Sequence, residues 1–220
     1  MSVGEYLNLF VNNYIKFFFL LTPFAGVSIF LAMTKDQGVS KRHRTALKVT
    51  AAVIVLSTTL YFFGTWIFGL FGITIDAFRI GAGVLLFLSG IELVKSSHRA
   101  GQVGVETEGM EETRMGKSGH DEGEWVVPLA IPIIVGPATI GAMLVIGSEL
   151  DTLQEQAVGY GGLLGAILTV GLLLFGASVV ERVIGQRGLT IFSKLTGLVF
   201  CVLAAQLMMA GVRNFLIVSS

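Results

Sequence analysis

Cysteine is almost missing: Cys201 is the only one in 220 residues. A single thiol excludes an intrachain disulfide and a thiolate metal cluster, and its place inside an apolar run makes it a packing residue. Charge is scarce too. Charged residues make up 14% of the chain and hydrophobic ones 53%, where soluble domains carry about 25% charged. Net charge is zero, which removes the electrostatic basis for a nucleic-acid partner. The three histidines, His43, His98 and His120, all lie outside the long apolar runs. No span therefore offers a histidine base or metal ligand. Proline is limited to four residues, Pro23, Pro128, Pro132 and Pro137.

What is abundant is uninterrupted apolar sequence. Charge-free runs extend over Phe17–Thr34, Val49–Ile75, Trp125–Ser148, Gln156–Val180 and Leu195–Val212. A sixth segment, Ile73–Val94, is as apolar but carries Asp76, Arg79 and Glu92. A membrane span needs roughly 20 mostly apolar residues, so each segment can cross once. The N-terminal stretch "MSVGEYLNLF" has no Lys or Arg before its first apolar residues. A cleaved signal peptide is therefore not expected, and the first span should stay.

The loops set an orientation. Five Lys and Arg follow span one (Lys35, Lys41, Arg42, Arg44, Lys48), four follow span three (Lys95, Arg99, Arg114, Lys117) and three follow span five (Arg182, Arg187, Lys194). The other side keeps Lys16, Arg79 and Arg213, with the acidic stretch "SELDTLQEQ". Basic loops stay in the cytoplasm. The expected location is the inner (plasma) membrane, multi-pass, with both termini periplasmic or extracellular. The longest connection, residues 96–124, reads as a solvated cytoplasmic loop. Its "HDEGE" has metal-ligating residue types, but nothing there fixes ligand geometry.

The chain also resembles itself. At an offset of 114 residues, Pro23 falls on Pro137, Phe78 on Phe192, Gly83 on Gly197, Leu93 on Leu207 and Glu92 on Gln206. The expected fold is all-α, with six transmembrane helices in one domain, 1–220. Residues 1–95 would form one three-helix repeat and 125–220 a second. Three is odd, so the second repeat enters the membrane inverted, a transporter architecture with the solute at the midplane.

All four prolines lie in the first helix of a repeat. Pro23 and Pro137 sit near mid-span, so the carbonyls of Phe19 and Ile133 should lose their helical donors. Gly26 and Gly136 stand beside them, with Thr22 and Thr139 close by. Two such interruptions, running in opposite directions, would meet at mid-depth and offer backbone groups to a solute. The alternative for each is a proline kink patched by a neighbouring hydroxyl. The expected solute-binding residues are Thr22, Pro23, Phe24, Gly26, Gly136, Pro137 and Thr139.

The stretches "TPFAGVSIFLAMT", "FGITIDAFRIGAGVLLFLSGIELV", "VPLAIPIIVGPATIGAMLV" and "SKLTGLVFCVLAAQLMMAGV" resemble the MarC family in order and spacing over nearly the whole chain. The resemblance implies a six-helix inner-membrane protein, grouped with LysE-type amino-acid exporters. It implies transport, with small neutral amino acids such as alanine or glycine as the solute class. The family often has Asn where Thr22 stands, and Gly-Pro-Gly where this chain reads Gly136, Pro137, Ala138.

Rival readings are an exporter of other small metabolites or drugs, a pore, a scaffold and an intramembrane enzyme. Asp76 and Glu92 are sixteen residues apart, roughly 24 Å on a helix, too far for a carboxylate dyad, so no enzyme is expected. Arg79 is placed to pair with Asp76 or to snorkel. Glu92 and Gln206 are candidates for gating or between-half contact. No cofactor is expected. A sodium ion held by freed carbonyls is the coupling ion that would fit, since no acid lies at mid-depth. The expected partners are a small-molecule solute and the bilayer, with a homo-oligomer left open.

Overall fold

The computed structural model describes residues 2–35, 37–95, 134–150 and 152–218. The 96–124 connection, the metal-like "HDEGE" and the start of the fourth span, with Pro128, Pro132 and Ile133, lie outside the described residues. Within them every regular element is helical and no strand occurs. The helices are α1 (Val3–Leu20), α2 (Pro23–Met33), α3 (Val39–Phe71), α4 (Ile75–Lys95), α5 (Pro137–Ser148), α6 (Leu153–Phe175) and α7 (Ala177–Val218).

Five stretches are long and apolar enough to cross a membrane: Val3–Met33, Val39–Phe63, Ile75–Lys95, Leu153–Phe175 and Ala177–Leu216. With the shorter apolar α5, this is a multi-pass membrane bundle. α5 has 12 residues, a length of about 18 Å, or little more than half of a ~30 Å hydrocarbon core. Large apolar side chains such as Leu168, Leu172, Val202, Met209 and Phe215 stay exposed along the outside, as a lipid-facing surface requires.

Helix ends differ from the apolar runs. α3 begins at Val39, ten residues before its charge-free run, and α7 runs from Ala177 through the basic stretch. Arg182, Arg187 and Lys194, expected in a loop, are helical; the chain turns instead at Gly185, whose φ of 70° suits glycine alone. Lys and Arg are good helix formers with long stems, so a helix continues past the lipid boundary without them breaking it. α1 and α6 each start with a capping box, Ser2 with Glu5 and Thr152 with Glu155.

The two ends of the bundle carry opposite charge types. At one end Tyr6 donates to Gln154 (2.6 Å), and Arg79 ties α4 to Glu149 just after α5. At the other, Arg42 donates to the Ser178 hydroxyl (2.6 Å) and the Thr34 carbonyl (3.0 Å), and His43 stacks on Phe175. This second end gathers Lys35, Lys41, Arg42 and Arg44 with the α4 terminus at Lys95.

α4 and α7 form the closest antiparallel pair. A Cβ on Gly90 would lie 2.7 Å from the Gly197 carbonyl, and one on Gly197 would lie 2.6 Å from the Gly90 carbonyl. Farther along, Gly83 meets the Ala204 carbonyl and Gly211 the Asp76 carbonyl. Only hydrogen fits at the Gly90–Gly197 crossing. Without a hydrophobic drive between helices in lipid, such close backbone approach is what packing there depends on.

Candidate functional site

α1 and α2 are one apolar stretch with a junction in it. The Leu21 N–H still donates to the Phe17 carbonyl (3.0 Å), but the Thr22 N–H turns back to Phe19 (2.9 Å) in a tightened turn. Thr22 then adopts φ 45°, ψ 56°, the only left-handed non-glycine residue described. For a β-branched side chain this conformation is strained. Pro23 follows in the first turn of α2, where its missing N–H and fixed φ cost nothing. The Thr22 carbonyl accepts from the Gly26 N–H (2.8 Å) and starts the new helix.

Phe19 was expected to lose its partner. It does not, because the tightened turn brings the Thr22 N–H within reach. The carbonyl that goes outside its own helix is that of Leu20, which accepts the Thr139 hydroxyl at 2.8 Å. Thr139 is 3% exposed and lies in the first turn of α5, 119 residues away.

α5 starts at Pro137, after a Gly136 N-cap with φ −73°, ψ 170° and no side-chain cap. The first amides of α2 and of α5 have no place in an intrahelical ladder. The two starts are adjacent. Besides the Thr139 bond, a Cβ on Gly26 would stand 3.6 Å from Ile134, just before α5. Around them Phe17, Leu20, Leu21, Val27, Phe30, Ile134, Val135, Ala138 and Met143 are buried. The site is thus a small patch of backbone dipoles and two threonines inside an apolar shell, closed in this conformation.

The other sequence candidates fall as follows. Thr22 is 9% exposed, and Pro23 and Gly26 are buried. Phe24 is half-buried and stacks on Phe192 of α7 with ring centroids 4.7 Å apart. Gly136 is half-buried beside the start of α5. Arg79 is not at the junction. It pairs with Asp76 (2.6 Å) and with Glu149 (2.8 Å), while Asn214 donates to Asp76 (3.2 Å). This cluster joins α4, the end of α5 and α7. Glu92 and Gln206 are both exposed. The Gly90–Gly197 and Gly83–Ala204 contacts set antiparallel α4 and α7 so that the two are about eleven residues out of register, roughly 16 Å along the helices. They are not a between-half contact.

Sequence reasoning missed Glu149 as the second partner of Arg79. It also missed three buried polar atoms without a hydrogen-bond partner, Asn13 Nδ2, Arg42 Nε and Ser57 Oγ. A lone Asn or Ser in an apolar run gives no sign of which face it occupies. No group of three His, Cys, Asp or Glu residues that could hold a metal occurs among the described residues.

Comparison with known proteins gives one consistent result. A UPF0056 membrane protein of Methanocaldococcus jannaschii is 29% identical over 215 residues, covering 96% of this chain and 99% of that protein. One from Pyrococcus abyssi is 27% identical over 210 residues, covering 96% and 97%. The UPF0056 membrane protein YhcE of Escherichia coli K12 is 27% identical over 209 residues, covering 91% and 92%. No solved structure matches the chain. The family described as MarC family integral membrane protein matches residues 7–216, and with its apolar helices spanning that same range, this chain belongs to the MarC family.

Proposed function

We propose that this protein is a secondary transporter of small neutral amino acids such as alanine or glycine, with the solute bound where α1–α2 and α5 meet. The observation that carries the reading is the bond from the Thr139 hydroxyl to the Leu20 carbonyl. It brings together the starts of two half-length helices, each opening on a proline. In this reading, each repeat has its first helix broken at that proline. The positive end of a half-helix suits a carboxylate, and freed carbonyls suit an ammonium group or a sodium ion. Among the described residues no charged side chain stands at the junction to balance a net charge on the solute, which favours a zwitterion.

Inverted repeats of residues 1–95 and 125–220 are part of the same proposal. Support comes from α4 and α7. Under the 114-residue offset Gly83 corresponds to Gly197 and Ala204 to Gly90. The Gly83–Ala204 contact therefore corresponds to the Gly197–Gly90 contact. Both contacts join small residues at the close approach of two helices that the offset makes equivalent, as helices packed about a pseudo-two-fold axis would be.

The basic end of the bundle is assigned to the cytoplasm, in the inner or plasma membrane, which leaves both termini outside. A shallow, open apolar groove lies between α4 and α5, lined by Ala77, Phe78, Gly81, Ala82, Ile140 and Gly141. It favours a second reading, export of an apolar compound entering from the bilayer. Counterflow into proteoliposomes separates the two. Labelled alanine should exchange against unlabelled alanine and glycine, faster in sodium than in choline buffer. Exchange of apolar drugs with no exchange of any neutral amino acid would replace the proposal by the second reading.

A further inference from the structure

Beyond the junction, two buried side chains in the apolar interior of the bundle each hold a polar atom without a partner. Asn13 lies in α1, 3% exposed, and its Nδ2 has no hydrogen-bond partner. Ser57 lies in α3, fully buried, and its Oγ has none either. Ser57 stands out among neighbouring hydroxyls. Thr45, Thr50 and Thr59 of the same helix each donate to the carbonyl four residues back. Buried polar atoms in native proteins are almost always satisfied, and each exception asks for an explanation.

Tyr61 links the two. Asn13 Nδ2 and Tyr61 Oη converge on Gly159 of α6, at 3.1 and 2.5 Å from the point its Cβ would occupy. Tyr61 donates to the Gln156 carbonyl at 3.3 Å, a long bond. Ser57 is one turn from Tyr61 on the same side of α3. On α1, Phe17 is one turn from Asn13 towards Leu20, and its ring lies edge-on to Tyr61 at 6.2 Å. A line of polar groups thus runs from Gln156, near the acidic end, past Asn13 and Tyr61 to Ser57. The Leu20–Thr139 junction lies beyond, with the Phe17 ring between.

We infer that Asn13 Nδ2 and Ser57 Oγ are successive steps of a polar solute route between the acidic end and the junction. Its donors take the carboxylate of a small zwitterion in turn, and water fills the route when the solute is absent. Asn13 supplies a donor without a charge, and Ser57 a hydroxyl that can donate or accept. Neutral donors hold a carboxylate weakly enough to pass it on. Phe17 closes the route to the junction in the conformation described. This inference rests on the transport reading above and adds the route by which the solute reaches the junction.

The test uses the full chain in proteoliposomes. Asn13→Leu keeps a similar shape and removes the donor. Replacing an unsatisfied buried donor by carbon should leave the thermal midpoint equal or higher. Counterflow of L-alanine should nevertheless fall at least tenfold, mainly through KM. Unchanged flux would overturn the inference, since a merely structural asparagine gives that result. In a Cys201→Ala background, Asn13→Cys and Ser57→Cys should both react with a water-soluble methanethiosulfonate, and L-alanine should slow the reaction at least threefold. Cysteines that stay unreactive would also overturn it. Should the wild-type protein move no alanine, the transport reading falls separately, and labelling still decides: reactive cysteines keep a hydrated site for another acceptor, unreactive ones remove it.

Discussion

Replacing Thr139 by valine tests the contact that joins the two halves of the chain. Valine keeps the volume and branching of threonine, so no cavity opens. What is lost is the donor to the Leu20 carbonyl at 2.8 Å, in a position 3% exposed. That carbonyl then stays buried and unpaired, which costs about 1–3 kcal/mol. Thr196→Val is the control. Thr196 is also buried, but its hydroxyl donates to the Phe192 carbonyl four residues back in its own helix. That carbonyl keeps its backbone partner when the hydroxyl is removed. Thr139→Val should therefore exceed Thr196→Val by about 1–2 kcal/mol, a factor of roughly 5–30 in the unfolding equilibrium. Reversible unfolding in mixed detergent micelles measures both. Equal costs within about 0.5 kcal/mol would refute the reasoning, because surface-like substitutions already scatter that far.

Other outcomes follow from the same geometry. Thr22→Asn should stabilise the protein by about 1 kcal/mol, since asparagine enters the left-handed region more easily than a β-branched residue; thermal unfolding in detergent checks it. Gly90→Ala should destabilise by about 1–3 kcal/mol through overpacking, because its Cβ would stand 2.7 Å from the Gly197 carbonyl, whereas Gly81→Ala, also in α4, meets nothing and should stabilise by about 0.5–1 kcal/mol. A double-mutant cycle of Arg79→Gln and Glu149→Gln should give a coupling of about 0.5–1 kcal/mol at low salt, falling at high salt, as Glu149 is 36% exposed. Cysteine at Ser40 should be shielded from an impermeant maleimide on intact cells with a permeabilised outer envelope, and cysteine at Gln154 should react; the reverse pattern would invert the proposed orientation.

The sequence carried the membrane class and most of the helices, because uninterrupted apolar runs have few uses other than spanning lipid. It carried less of where helices end. α3 and α7 extend into Lys- and Arg-rich stretches that a hydropathy reading assigns to loops, although these residues favour helix. Proline and its neighbours drew attention to Thr139 and Leu20's helix, but not to the bond between them. Local rules place the unpaired carbonyl at Phe19, four residues before Pro23. A turn of three-residue spacing moves the outward-facing carbonyl to Leu20, and its donor comes from 119 residues away. The second partner of Arg79 was hidden for the same reason, with Glu149 70 residues distant. Asn13 and Ser57 were unreadable because a polar residue in an apolar run takes its meaning from the face it presents, which only packing decides.

The most direct measurement is L-alanine counterflow in proteoliposomes carrying the wild-type protein or Gly26→Val. A Cβ at Gly26 meets only Ile134, at an ordinary 3.6 Å, so the two further methyls of valine should cost about 1–3 kcal/mol by overpacking and leave the protein folded, as its thermal midpoint can verify. Its valine methyls would crowd the space between α2 and the start of α5. The account predicts saturable alanine exchange by the wild-type protein, lost by at least tenfold in the folded variant. No alanine exchange by the wild-type protein, or equal exchange by both, would contradict it.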